Sequence, residues 1–128
     1  MRSRIFVGTL LMLGVLSAGL LATTATNKHW SIVNFLDPVQ VRDQLIMGPV
    51  LIVHDDVKMA QGEACTTFYR FDRKKGPQEA LVSFHCQPLQ RAVVEQTTFT
   101  LGANAPGCKR LLDYQIAGDS EAHGVPAL

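Results

Sequence analysis

The most reactive side chains in this sequence belong to its three cysteines and four histidines. One of each stands side by side in "ALVSFHCQP", residues 80–88, where His85 precedes Cys86 at the end of an apolar run. Such a pair can be two metal ligands, a base beside a nucleophile, or half of a disulfide beside a surface imidazole. Which of these applies depends on the strands that hold the two residues.

The segment between the first two cysteines predicts a β-hairpin. Turn-forming residues 72–78 separate two stretches in which apolar and polar residues alternate. A symmetric register about this turn places Asp72 opposite Glu79 and Cys65 opposite Cys86, and gives the cysteines the more apolar face. We expect that face to carry Cys65, Thr67, Tyr69, Phe71, Ala80, Val82, Phe84 and Cys86, and the other to carry Thr66, Phe68, Arg70, Leu81, Ser83 and His85.

This register predicts a structural disulfide between Cys65 and Cys86. Directly opposed antiparallel residues have Cα atoms about 4.5–5.5 Å apart, which a disulfide tolerates, and the closed loop would contribute about 3 kcal/mol. Two buried free thiols, a metal-binding or catalytic role for Cys86, and a thiol-redox pair are the alternatives. Cys108 lies outside the predicted pair, as a free thiol, an intermolecular link or the true partner of either other cysteine. His85 points away from Cys86 in this register, so the two adjacent residues are poorly placed to act together.

Three histidines support a metal-binding hypothesis. His54 ends the apolar stretch "VLIVHDD", and His123 lies in the C-terminal "SEAHGVP". If the fold brings His54, His85 and His123 together, they would suit copper or zinc, with Asp55 or Glu121 as an outer partner. Read without a metal, the same residues are a polar strand end and a solvated loop. The sequence also offers two soft donors, Met47 and Met59.

Signatures of common enzymes are missing from residues 26–128. The sequence there contains no G-x-S-x-G elbow, no P-loop, no dinucleotide-binding fingerprint and no S-x-x-K. An enzyme is therefore the weaker class, and no residue is assigned a catalytic or cofactor-binding role.

Residues 1–25 have the pattern of an export signal. Arg2 and Arg4 precede a stretch without charge, of which residues 5–22 are almost entirely apolar, and small residues follow. The stretch is long for a removable signal peptide and just long enough to cross a bilayer, so a retained membrane anchor is the alternative to cleavage. Either way, residues 26–128 are predicted to form an exported domain, periplasmic or extracellular, which the anchor would hold at the inner membrane.

The charge of the exported part argues against nucleic-acid binding. Ten of the 12 basic residues follow the leader, against 11 acidic residues, so the domain is nearly neutral. It lacks the basic surplus typical of proteins that bind nucleic acid. In an oxidising compartment, a domain of this size also gains from a disulfide.

Short apolar runs between turn signals predict an all-β fold. We expect a small antiparallel β-sandwich or a partly open barrel, preceded by an N-terminal hydrophobic leader helix. Pro49 should begin a strand or lie on an edge, since it cannot donate to a ladder. The predicted strands are Trp30–Phe35, Val39–Val41, Val50–His54, Cys65–Phe71, Ala80–Cys86, Ala92–Leu101 and Leu111–Ala117.

The opening of the domain, "FLDPVQVRDQLIMGPVLIVHDD", resembles small exported bacterial β-sandwich domains of uncharacterised function. In these, a P-V-x-V strand leads through an L-x-x-G turn into an apolar strand, which corresponds here to residues 38–41, 45–48 and 50–53. The resemblance covers about a quarter of the chain. It implies the fold and the exported setting, and no activity.

Two functions follow as expectations. The first is a binding or structural module of the cell envelope that contacts a partner protein, with the face of Phe68, Leu81 and His85 as its candidate surface. The alternative is a periplasmic protein that binds copper or zinc through its histidines.

Overall fold

The computed structural model describes residues 28–104 and 107–128, of which 64% lie in the strands of one β-sheet. The predicted leader helix and its cleavage site lie outside these residues. Within them, no helix is long and apolar enough to cross a membrane. The elements are β1 (Lys28–Val41), β2 (Gln44–Asp55), α1 (Asp56–Ala60), β3 (Thr66–Asp72), β4 (Gly76–Phe84), β5 (Gln87–Gln90), β6 (Thr98–Ala103), β7 (Lys109–Gln115) and β8 (Glu121–Gly124).

The strands form a single mixed sheet that curls into a half-barrel. Along the sheet the order is β4-β3-β2-β1-β7-β8-β5, and β6 pairs with β7. The fold is therefore all-β, as predicted, but the sheet is not purely antiparallel. β1 and β7 run parallel where Val39 and Gln40 meet Lys109 and Arg110. This short parallel pairing joins the β1–β4 half of the sheet to the half formed by the later strands.

Two of the predicted strands are one. Residues 30–35 and 39–41 both belong to β1, which pairs with β2 along its length and changes register between Phe35 and Val39. An irregularity of this kind bends a strand and increases its twist, which helps the sheet to curl. Pro49 lies inside β2 opposite Asn34, just before the ladder with β3 begins at Val50. Only the side of β2 that faces β1 is paired at that point.

The concave side of the sheet holds the core. On β2 the buried residues alternate from Val50 through Ile52 to His54, the period of a strand with one face inward. Phe68 and Tyr114 meet edge to face near its centre, 6.0 Å apart between ring centroids. The buried apolar residues are Phe35, Val39, Val41, Ile46, Val50, Ile52, Cys65, Phe68, Phe84, Cys86, Leu111, Tyr114, Ile116 and Ala122.

The β3–β4 hairpin forms with a tighter turn than the symmetric register predicts. Asp72 pairs with Gly76, not with Glu79. The Asp72 carboxylate accepts hydrogen bonds from the amides of Lys74 and Lys75 at 2.8 and 2.9 Å. Gly76 takes a φ of +83°, which suits glycine and closes a three-residue hairpin loop.

The shifted register reverses the faces of β3. The ladder ends with Thr66 opposite Phe84, one residue away from the predicted pairing, and a shift of one residue moves a side chain to the other face. Phe68 is buried, whereas Phe71, predicted to face the core, is only half-buried. The side of β3 expected to look outward is thus part of the core, and Phe68 forms no exposed patch.

The later strands differ most from the prediction. Residues 92–97 are not in a strand, and β6 begins only at Thr98. The four-residue strands β5 and β8 were not predicted. They pair with each other, and β8 also pairs with β7, which places the C-terminal His123 beside Tyr114.

Candidate metal centre

Cys65 and Cys86 flank the open end of the hairpin and meet in the interior. Cys65 precedes β3 and Cys86 follows β4, so neither belongs to the ladder that was expected to oppose them. Their sulfurs are 2.7 Å apart, and both residues are buried. The predicted proximity is correct, but a turn and a local departure from the ladder bring it about. Both cysteines are free thiols in this structure, so the disulfide stays a prediction.

His54 joins the two cysteines because β2 delivers it to the same end of the sheet. It continues the inward alternation of Val50 and Ile52, and in the β2–β3 ladder it lies opposite Thr66, next to Cys65. One imidazole nitrogen and the two sulfurs all lie within 4.8 Å of one another. His54 is fully buried, and neither ring nitrogen has a hydrogen-bond partner among the described residues.

An unpartnered buried imidazole is costly, and a bound ligand is one way to satisfy it. The nearest polar group is the Asp56 carboxylate, whose Oδ1 lies 3.1 Å from His54 Nδ1. That separation is within ion-pair range, but the direction of the contact does not satisfy hydrogen-bond geometry. The Asp56 contact therefore orients the ring without providing a hydrogen bond to either nitrogen.

Two further donors surround Cys86. His123 Nδ1 lies 3.6 Å and Met59 Sδ 3.8 Å from the Cys86 sulfur. The His123 ring stacks on His54, with centroids 3.8 Å apart, and is itself buried. Met59 comes from α1, which Asp55 caps by accepting hydrogen bonds from the amides of Val57 and Lys58. Cys86 thus contacts donors from α1 and β8 as well as Cys65, while the donor atoms that all lie within 4.8 Å of one another belong to His54, Cys65 and Cys86.

These separations are close to those of a tetrahedral metal site. With metal–sulfur bonds of about 2.3 Å and metal–nitrogen bonds of about 2.0–2.1 Å, ligand atoms lie roughly 3.5–3.8 Å apart. The contacts of Cys86 with His123 and Met59 already have that spacing. The two sulfurs, at 2.7 Å, would have to separate by about 1 Å, within reach of a cysteine side-chain rotation.

Burial sets the protonation states of this cluster. It lowers the pKa of His123 to about 4, helped by the neighbouring His54, and it also lowers the pKa of His54 although Asp56 opposes the effect. Both rings are therefore neutral at pH 7 and have a lone pair to donate. Burial and the contact with Cys65 raise the pKa of the Cys86 thiol to about 12. A bound cation would reverse this, because a coordinating thiol is deprotonated outright.

The amide of Cys86 donates a hydrogen bond to the Cys65 sulfur at 3.1 Å. The backbone of one hairpin end thus contacts the side chain of the other, in addition to the contact between the two sulfurs.

A cleft of about 250 Å³ opens at the surface beside this cluster. Its lining includes His29, Asp56, Asp119 and Glu121, and also Met59 and His123, which both contact Cys86. His29 lies between two carboxylates, 2.9 Å from Asp56 and 3.2 Å from Asp119. Burial lowers the pKa of His29, but the two carboxylates outweigh burial and the net pKa is raised. The mouth of the cleft thus favours positive charge.

The sequence predicted some of these residues and assigned others wrongly. Of the predicted histidines, His54 and His123 come together. His85 is exposed, and its Nδ1 lies 3.0 Å from the Glu63 carbonyl and 4.0 Å from the Cys65 sulfur, at the edge of the cluster. Asp55 is the cap of α1, and Asp56 takes the position beside His54 that was expected of Asp55.

Other candidates lie away from the cluster. Met47 is 64% exposed on β2, and Cys108 precedes β7 at the far end of the sheet, where its sulfur lies 3.7 Å from the Lys109 carbonyl oxygen. Met59, the other methionine that the sequence offers as a soft metal donor, contacts Cys86. His29 and Asp119 carried no motif and were missed.

Comparison of the chain with protein-family models, with curated proteins and with solved structures gave no match.

Proposed function

We propose that the domain binds one thiolate-seeking transition-metal ion, zinc(II) or copper(I), through Cys65, Cys86 and His54. His123 and Met59 supply the remaining donors. Two sulfurs and two imidazoles are a typical tetrahedral zinc set, and a thioether beside thiolates favours copper(I). Compared with the histidine site predicted from the sequence, this set of ligands keeps His54 and His123 and has the two cysteines in the place of His85.

The observation that carries this proposal is the buried His54 imidazole without a hydrogen-bond partner, next to two buried thiols. A purely structural core would fill this space with apolar side chains or satisfy the imidazole. An ion would satisfy His54 and both cysteines at once.

The contact between His54 and Asp56 supports the same function. Metal-bound histidines commonly place their second ring nitrogen against a carboxylate, which fixes the tautomer and the ring orientation. Asp56 Oδ1 lies 3.1 Å from His54 Nδ1, close enough to become such a partner after a small rotation of the ring, and that would leave Nε2 to bind the ion. Asp56 is then a positioning residue, and it also carries His29 on its other oxygen.

A thiol-redox function is less well supported by the same residues. Reactive cysteines in exchange reactions have lowered pKa values and exposed sulfurs. Cys86 is fully buried and its pKa is raised to about 12.

Titration of the reduced protein with cobalt(II), a spectroscopic substitute for zinc, tests the proposal. We expect saturation at one ion per chain, with sulfur-to-cobalt charge-transfer absorption that zinc abolishes. Asp56→Asn should lower the affinity about 10- to 100-fold without changing the stoichiometry. A titration without a thiolate band would contradict the proposal. Asp43→Asn, in the β1–β2 turn, is the matched control and should bind as the wild type does.

The alternative of an envelope-binding module retains one supporting observation. Trp30 and Ile32 lie two residues apart on the outer face of β1, and they are 62% and 47% exposed. They take the place of the predicted Phe68 surface, which is buried. Export, with or without an anchor, remains a proposal that rests on residues 1–25 alone.

A further inference from the structure

The access cleft is lined by donors whose chemical type changes with depth. The side chains of Asp119, Glu121, His29 and Asp56 form its mouth and are 20–43% exposed. The buried His123 lies below them, and the sulfur of Cys86 lies next to it. Hard oxygen donors exchange ions quickly, whereas thiolates hold zinc and copper tightly.

Two rows of polar groups run from the mouth toward the cluster. In the first, His29 lies between the carboxylates of Asp119 and Asp56, 3.2 and 2.9 Å away, and the other oxygen of Asp56 lies 3.1 Å from His54 Nδ1. Both nitrogens of His29 face carboxylates, so Asp56 is the metal donor of this row that leads to His54.

The second row descends from β8. Glu121 Oε1 lies 3.8 Å from His123 Nδ1, which lies 3.6 Å from the Cys86 sulfur. Met59 lines the cleft and also contacts Cys86. Both rows therefore end at the buried cluster, whose unpartnered His54 is the residue that needs an ion.

We infer that this cleft is the route by which the ion reaches and leaves the buried cluster. Asp119 and Glu121 attract a cation and hold it transiently at the mouth, and Asp56 and His123 take it over on the way to the cluster. This inference rests on the proposed function. It adds that the surface carboxylates control how fast the ion is exchanged, not how tightly it is finally held.

The geometry separates rate from affinity. A transient ligand lowers the barrier in both directions, so its loss slows capture and release alike and leaves the equilibrium unchanged. Negative charge at the mouth also raises the local cation concentration, an effect that salt screens. A permanent ligand behaves differently, since its loss weakens binding and speeds release.

Stopped-flow kinetics with the full-length reduced protein test this inference. Zinc(II) capture is measured with the free ion, release is measured into an excess of a chromophoric chelator, and the affinity comes from competition with the same chelator. For Asp119→Asn we expect both rates to fall about three- to tenfold at low ionic strength. The affinity should stay within about twofold of wild type, and the difference in capture rate should shrink at high salt.

Glu121→Gln should act in the same direction, and it provides a second variant if Asp119→Asn disturbs the turn before β8. Glu79→Gln is the matched control, because it removes one carboxylate from the exposed hairpin, where Glu79 pairs with Arg70 at 2.7 Å. It should leave both rates unchanged.

Three results would overturn the inference while the wild type still binds zinc. They are unchanged rates in both cleft variants, an equal slowing by Glu79→Gln, or a loss of affinity with faster release. A wild-type protein that binds no zinc would instead reject the proposed function itself, and the inference with it.

Discussion

Cys86→Ser should lower the affinity of the reduced protein for zinc(II) by more than about a hundredfold. Loss of an outer partner alone typically costs 10- to 100-fold, and Cys86 lies at the centre of the donor set, in contact with Cys65, His123 and Met59. Chelator competition measures the effect.

Cys108→Ser is the matched control, because Cys108 lies outside the cluster and its loss should leave the affinity unchanged. The stability of each variant, measured without metal under reducing conditions, separates folding from binding. If Cys86→Ser binds zinc as the wild type does, Cys86 is not a ligand. If reduction of the wild type alone costs about 2–5 kcal/mol, the pair is a disulfide staple.

Phe68→Ala should lower the free energy of unfolding by about 3–5 kcal/mol. Phe68 is fully buried and packs against Phe84 and Tyr114, with ring centroids 6.1 and 6.0 Å away. Deleting its ring leaves a cavity at the centre of the half-barrel. Urea unfolding followed by tryptophan fluorescence or circular dichroism gives the difference.

Phe71→Ala makes this a test of the hairpin register. Both residues lie on β3, but Phe71 is on the opposite face and only half-buried, so its loss should cost less than half as much. If Phe71→Ala destabilised the protein more than Phe68→Ala, the symmetric register would be the correct one, with Phe71 facing the core and Phe68 facing outward.

The sequence predicted the elements better than their pairing. Alternation and turn signals located β2, the hairpin strands and β7, and most of their predicted ends lie within a few residues of the observed ends. These segments are long and have one buried face, so their pattern is easy to detect. The strands β5 and β8 have four residues each and too little pattern to detect. The parallel contact between β1 and β7 depends on chain closure across 70 residues of sequence, which local patterns do not encode.

The predicted register of the hairpin was wrong, and the reason lies in the local sequence of the turn. The Asp-x-x-x-Gly spacing of Asp72 and Gly76 is typical of a three-residue loop, because the aspartate caps the turn and glycine takes the left-handed conformation. The symmetric register centres the turn one and a half residues too late, so it moves the partner of Asp72 from Gly76 to Glu79, three residues along β4. The two later irregularities in the ladder carry no comparable signal.

The candidate site could be predicted in part. The hairpin alone brings Cys65 near Cys86, and the alternation Val50, Ile52, His54 could have shown that His54 points inward. His123 could be named as a candidate from its residue type, but its meeting with His54 could not be derived, since it depends on β8 folding back beside β7 and β5. Asp56 and His29 become neighbours only through the β1–β2 ladder, which sets Lys28 opposite Asp55.

Native mass spectrometry of the reduced protein, supplied with one equivalent of zinc(II), tests the central claim most directly, because the mass reports both the ion and the thiol protons. The account predicts a single added zinc with the loss of two protons, one from each of Cys65 and Cys86, while Cys108 stays open to alkylation. A chain purified from its native source that has lost two hydrogens and binds no zinc until it is reduced would show that Cys65 and Cys86 form a disulfide. A reduced chain that binds no zinc would contradict the metal centre itself.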